Sequence, residues 1–192
     1  MSTVVVARKG GTLAIASDSL VTFGETRLPH GYEANAKMFS IAGSHVGAVG
    51  STAHMPVLRQ ALGALPEDQL RLHSRDAIFE TFLGLHPQLK ERFFMNTKEQ
   101  DSDPYESSQF SILIANVHGI FGVESYREVF DFERFWAIGS GRRFALGAMH
   151  AAWDKAKTAR DVAEAGVAAG CEFDTSSAGP VRVHTFKLKK QG

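Results

Sequence analysis

The apolar positions of this chain fall into blocks whose period alternates between that of a strand and that of a helix. Residues 3–7 and 13–16 are short continuous apolar runs on either side of a Gly10-Gly11 pair, which predicts a β-hairpin at the very start. Residues 20–32 are rich in Gly, Thr and Pro, with Pro29-His30-Gly31 as a turn signal, and read as a loop or an irregular edge. Residues 35–41 alternate as a strand that places Lys37, Phe39 and Ile41 on one side. A turn at Gly43-Ser44 leads into a strand over 46–49, which Gly50-Ser51 ends.

From Thr52 the period becomes helical, with Met55, Leu58, Leu62 and Leu65 on one stripe and Pro66 as the stop. A second helix starts at Ser74 as N-cap and carries Ile78, Phe82, Leu85, Leu89 and Phe93. Pro87 lies inside it and predicts a kink or break, since an interior proline costs about 3 kcal/mol relative to alanine. Residues 96–109 are polar and read as an exposed loop. Strands return over 110–115 and 119–124, then 134–138, which runs into Gly139-Ser140-Gly141. A third helix over about 142–155 is expected to bury Phe144, Ala148, Met149 and Ala152. A fourth over 159–170, capped by Thr158, has a stripe of small residues at Val162, Ala165 and Ala169. A polar turn over 173–179 and an alternating strand over 181–188 close the chain. Strands grouped between helix pairs predict an α+β fold, a four-layer α/β/β/α sandwich of two antiparallel sheets flanked by helices, with the first strand central.

Composition narrows the function. The 192 residues predict one domain with a substantial core. Lys plus Arg equals Asp plus Glu at 21 each, without long blocks of one sign, which argues against nucleic acid or an anionic membrane as partner. A single cysteine, Cys171, excludes an internal disulfide and fits a reducing compartment. No apolar run approaches the ~20 residues of a membrane span, and the start lacks a signal-peptide pattern, so a cytoplasmic location is expected. The 8 histidines show no ligand-like spacing, and no metal or cofactor is expected.

The candidate chemistry is at the beginning. Removal of Met1 before so small a side chain would leave Ser2 with a hydroxyl and a free α-amine on one residue. An α-amine titrates at about 7.7 to 8.0, close enough to neutrality to act as a general base. Asp18 ends an apolar strand and Lys37 sits within another, places where an isolated charge is costly and a hydrogen-bonded pair is tolerated. The alternative for Lys37 is a solvated face of its strand. An ammonium near Ser2 would favour the alkoxide form of its hydroxyl.

These stretches resemble the proteasome β-subunit family of N-terminal-nucleophile hydrolases, in particular its bacterial branch of HslV-type peptidases and bacterial proteasome homologues. The resemblance is carried by Ser2-Thr-Val-Val through Gly11, Ala16-Ser-Asp18, Asn35-Ala-Lys37, Gly50-Ser-Thr-Ala53, Ala137-Ile-Gly-Ser-Gly141 and Asp174-Thr-Ser-Ser177-Ala-Gly179. It implies Ser2 as nucleophile, its amine as base acting through a water, Asp18 holding Lys37, and Lys37 lowering the nucleophile's pKa. It further implies the Gly50 N–H as oxyanion donor, and Ser140, Asp174 and Ser177 as the residues that order the amine and the water. Val21, Thr22, Phe39, Ala48 and Thr52 match the family's substrate pocket, where small Ala48 suggests room for a bulky uncharged side chain.

As partners the resemblance implies unfolded polypeptides or peptides as substrates, a homo-oligomer of two stacked rings with seven protomers per ring favoured over six, and a ring ATPase that delivers folded proteins. Two features depart from the family pattern. Serine replaces the usual threonine and lacks the methyl that restricts χ1. The register is also open: a two-residue turn at Gly10-Gly11 puts Asp18 opposite Thr3, whereas a three-residue loop puts it opposite Ser2. An amidohydrolase for a small amide and a non-catalytic ring scaffold are the competing functions.

Overall fold

The computed structural model describes residues 2–28, 31, 37–98, 102–103 and 105–189. The Pro29-His30 turn, Met1 and the first residues of the strand expected over 35–41 lie outside them. In chain order the elements are β1 (Thr3–Lys9), β2 (Thr12–Ser17), β3 (Val21–Phe23), β4 (Thr26–Leu28), β5 (Met38–Ile41), β6 (Ser44–Val49), α1 (His54–Gly63), α2 (Arg75–Glu91), β7 (Ser111–Asn116), β8 (Gly119–Val123), β9 (Val129–Asp131), β10 (Phe135–Gly139), α3 (Arg142–Ala152), α4 (Ala159–Phe173) and β11 (Arg182–Lys187).

The first hairpin turns in two residues, with Gly10 and Gly11 both at positive φ, +58° and +72°, the backbone that right-twisted strands require of a tight connection. Lys9 therefore pairs with Thr12 and Val4 with Ser17. The Asp18 N–H donates to the Thr3 carbonyl at 3.1 Å, so Asp18 lies opposite Thr3 and the two-residue register is the one adopted.

Two antiparallel sheets stack face to face. One has the order β10-β1-β2-β11 and the other β5-β6-β7-β8-β9. Val4, Val6, Leu13 and Ile15 fill the space between the sheets with Met38, Leu113 and Ile120. The opposite face of the same hairpin, Val5, Ala7, Ala14 and Ala16, packs on Ala145 and Met149 of α3 and Val162, Ala163 and Val167 of α4. Burial on both faces is why these strands read as unbroken apolar runs. Helices α1 and α2 cover the second sheet through Leu58, Leu62, Ile78, Phe82 and Leu85 against Val46, Ile112 and Phe121. The result is the four-layer α/β/β/α sandwich, with β1 an inner strand. Among the described residues no helix is long and apolar enough to cross a membrane.

Several local expectations differ from the structure. The stretch read as a loop after Asp18 holds a small hairpin, β3 paired with β4, too short and exposed to show a period. The three-residue edge strand β9 escaped for the same reason. Helix α2 runs through Pro87 without a break; the carbonyl that the proline leaves without a donor belongs to Leu83, on an exposed part of the helix. Helix α3 buries Met149 as expected, but Phe144 is 42% exposed and Ala145 is buried in its stead. The Phe144 ring rests on Phe173 at 5.6 Å. Helix α4 buries Val162, Ala163, Gly166, Val167 and Gly170, a face rotated from the expected stripe because two glycines form part of it.

The caps behave as the sequence indicates. The Ser74 side chain accepts from the Ala77 N–H at 3.3 Å, and Thr158 with Asp161 closes a capping box on α4. Thr158→Ala is expected to cost about 1 kcal/mol, measurable as a lowered denaturant midpoint at unchanged m-value.

Candidate active site

The site is assembled on one buried carboxylate. Asp18 follows β2 and is fully buried, and its register opposite Thr3 turns it toward the start of the chain. The Thr3 N–H donates to Asp18 Oδ1 at 3.0 Å, the Leu20 N–H to Oδ2 at 3.0 Å, and the Ala178 N–H to Oδ2 at 3.2 Å. Lys37 Nζ donates to both oxygens, at 2.8 and 2.7 Å. Of the two sequence readings of Lys37, the solvated face is excluded: its side chain is 12% exposed and ion-paired. Burial pushes the pKa of its ammonium down, and the Asp18 charge and hydrogen bonds restore only part of that.

Ser2, 7% exposed, lies just before β1. Its carbonyl is held by the Gly141 N–H at 3.4 Å and by Ser140 Oγ at 3.5 Å. Ser140 also donates to Asp174 Oδ2 at 2.7 Å, and Ser177 donates to the same oxygen at 2.6 Å. Burial raises the pKa of the Asp174 carboxyl, but the hydroxyls of Ser140 and Ser177 and the Ser176 amide outweigh that and hold it below its ordinary value. With its proton committed to Asp174, Ser177 Oγ accepts from Thr3 Oγ1 at 2.8 Å. Ser140, Asp174, Ser177 and Thr3 are thus one hydrogen-bonded chain behind Ser2.

Close backbone approach makes this possible. A Cβ on Gly139, whose φ is +96°, would collide with the Ser2 carbonyl, and one on Gly170 of α4 would stand 2.7 Å from Thr3 Cγ2. Both glycines are spaces into which the start of the chain fits.

Ser2, Lys37 and Gly50 share the wall of one cavity of about 260 Å³. Val21, Thr22, Ala48 and Thr52 line it as well, joined by Leu20, Ser51, His54 and Met55. Phe39 does not. It is buried in the core beneath α1 and α2, while its neighbour Met38, on the opposite face of β5, packs between the sheets. On the other side of Gly50 a wider cleft of about 860 Å³ is bounded by Ser140, Glu124, Arg142 and Arg143. Gly50 itself has φ +138°, a backbone that favours glycine.

Sequence reasoning did not foresee the parts that three residues of this neighbourhood play. Thr3 is opposite Asp18 in one of the two registers read from the sequence, but nothing pointed to its hydroxyl, since a threonine within a strand is ordinary. His54 sits at the first turn of α1 and was passed over with the other scattered histidines. Cys171, on α4, faces the Asp18 and Asp174 charges; burial first, then those carboxylates, push its thiol up to about 11. Among the described residues no three His, Cys, Asp or Glu are grouped as metal ligands.

No protein-family model matches the chain. Solved structures do. BPH from Thiobacillus denitrificans is 37% identical, over 98% of this chain and all of that one, with a TM-score of 0.91. The same protein in complex with Epoxomicin superposes with a TM-score of 0.88 at 37% identity, again over 98% of this chain and all of that one. HslV from Trypanosoma brucei is 22% identical over 96% of this chain and 99% of that one and, with a TM-score of 0.68, shares the fold. With this sandwich, this level of identity and near-complete mutual coverage, the chain belongs to the proteasome β-subunit and HslV family of N-terminal-nucleophile hydrolases.

Proposed function

We propose that this peptidase acts through Ser2, exposed by removal of Met1, on peptide bonds inside a chamber of two stacked rings. The observation that carries the reading is the sharing of one cavity by Ser2, Lys37 and Gly50, with Lys37 fixed on Asp18. Thr3 is the less suitable nucleophile. Its hydroxyl is committed to Ser177, its N–H to Asp18, and it does not line the cavity.

The steps follow from the placement. Ser2 Oγ adds to the scissile carbonyl while its proton passes to the α-amine, directly or through a water. The Lys37 ammonium stabilises the oxygen anion as it forms, and the Gly50 N–H receives the negative oxygen of the tetrahedral intermediate. Collapse breaks the C–N bond, and the protonated α-amine gives its proton to the leaving amine. The acyl group remains as an ester on Ser2. Water, deprotonated by the same amine, then hydrolyses the ester and restores the hydroxyl. Asp174, held by Ser140 and Ser177, is the residue we assign to orienting that amine. Serine runs this sequence with less preorganisation than threonine, because its χ1 is unrestricted.

The complex of the 37% identical relative with Epoxomicin supports the reading. Intact mass after incubation with epoxomicin, followed by peptide mapping, tests it. A mature chain lacking Met1 and labelled at Ser2 is expected. Retained Met1 without a label overturns the assignment and leaves a ring scaffold. Two rings of seven protomers rather than six are proposed for the assembly, with a ring ATPase to deliver folded substrates; native mass spectrometry distinguishes the ring orders.

A further inference from the structure

The cavity beside Ser2 is more polar than its match to the family pocket suggests. Thr22, Ser51 and Thr52 bring hydroxyls to its wall, Lys37 an ammonium and His54 an imidazole, and no Asp or Glu among the described residues lines it. This cavity, lined by both Ser2 and Gly50, is a space rich in hydrogen-bond donors that lies open to the side chain on the acyl side of a carbonyl seated between them.

His54 is the unusual member. It begins α1, its N–H donating to the Ser51 carbonyl at 3.0 Å. The ring is set edge-on to Phe110 at 6.2 Å between centroids. Its Nδ1 would lie 3.1 Å from a Cβ on Gly50. Nδ1 is buried and has no hydrogen-bond partner, an arrangement rare enough to need a reason. Sealing Nδ1 against Gly50 leaves Nε2 as the nitrogen that meets the cavity. Burial lowers the pKa of the imidazole from its ordinary value, so the ring is neutral near pH 7 and carries one proton. A buried N–H without an acceptor is the costlier of the two possible orphans, and we assign the proton to Nε2. The imidazole then presents a donor to whatever fills the cavity.

We propose that His54 is a specificity-determining residue, donating from Nε2 to the side chain of the residue whose carbonyl Ser2 attacks, and selecting a side chain that ends in an acceptor oxygen, glutamine or glutamate. The inference rests on the reading of Ser2 as nucleophile. Leucine in this position would leave the donors of the cavity wall unpaired, a loss that hydrogen-bonding sites punish more than a mismatch in apolar bulk. Lysine would meet the Lys37 ammonium in the same cavity.

The test is the ratio of kcat/KM values across fluorogenic peptides that differ only at this residue: Gln, Glu, Leu and Lys. In the mature enzyme, Gln and Glu are expected to exceed Leu about tenfold, the worth of one hydrogen bond to a fixed donor, with Lys lowest. His54→Leu is expected to bring the Gln-to-Leu ratio down to about one. His54→Gln, which can place an amide N–H where Nε2 stands, retains the preference. Where His54→Leu does not fold, His54→Asn, whose shorter amide cannot reach, gives the same drop. A mature enzyme that prefers Leu to both Gln and Glu overturns the proposal, and so does a His54→Leu variant that slows all four peptides by one common factor. Failure of the underlying reading looks different: no peptide of the series is cleaved, epoxomicin leaves Ser2 unlabelled, and the inference falls with it.

Discussion

Lys37→Ala is expected to abolish measurable peptide hydrolysis and to weaken the fold in the same step. The catalytic loss, on the order of 10³-fold in kcat/KM, follows from removing a preorganised charge from a partly dry site where an oxygen anion develops. The loss of stability has a separate origin. Asp18 is fully buried, and without Lys37 its carboxylate keeps the amides of Thr3, Leu20 and Ala178 but has no counter-charge. Breaking a buried pair from one side costs about 3–5 kcal/mol. Chemical denaturation and peptide turnover, measured on the same preparations, separate the two effects when Asp18→Asn is added. The double variant is expected to regain part of the stability, since no orphaned charge remains although the amide nitrogen of Asn now faces a backbone N–H that a carboxylate oxygen had accepted, and none of the activity. A single Lys37→Ala protein as stable as the parent would mean that Asp18 does not depend on its cation.

The second large effect is expected where α4 crosses β1. Gly170→Val drives a branched side chain into Thr3, since a Cβ alone would already stand 2.7 Å from Thr3 Cγ2. Overpacking of this kind costs about 1–3 kcal/mol. Thr3 adjoins Ser2, so turnover is expected to fall with stability. Propensity and sterics compete openly in the milder alanine variants. Glycine to alanine in a helix interior gains up to about 1 kcal/mol, and at Gly147 of α3, where nothing lies within 4 Å of the added carbon, that gain is expected in full. At Gly170 the collision reverses the sign. Thermal melts of Gly147→Ala and Gly170→Ala moving in opposite directions would confirm that α4 is held against the start of the chain by the missing side chain.

What the sequence disclosed and what it concealed divide along physical lines. The β1–β2 hairpin was legible because two consecutive glycines between apolar runs have few other uses. Asp18 and Lys37 were conspicuous because a charge within an apolar stretch needs a partner, and the structure pairs them. The sandwich followed from the order of the blocks. Ser140, Asp174 and Ser177 emerged from resemblance, and the structure brings them together behind Ser2; no period or spacing would have joined a residue just after β10, the C-cap of α4 and the following turn. Phe39 was assigned to the pocket by resemblance alone, and a match of position does not say whether a side chain meets a cavity or the helix layer in which the structure buries it. Phe144 was read as core because an aromatic outweighs its neighbour Ala145 in any apolar pattern, yet the close packing of α3 on α4 needs the smaller residue inside. The bond made by the Thr3 hydroxyl and the place of His54 were silent because a hydroxyl in a strand and a histidine at a helix start acquire meaning only from what lies across from them.

The hydrogen bonds to Asp18 come from residues 3, 20, 37 and 178. The first three are translated long before the last, so a nascent chain halted before Ala178 carries Ser2, Lys37 and Asp18 without the amide that completes their arrangement. The Asp174 relay to Thr3 arrives at the same late moment. Under the proposed function, an enzyme whose substrates are unfolded polypeptides is a hazard to its own unfinished copies, and the order of synthesis would then act as a safeguard. Each copy would complete its site only after its own chain had folded around it.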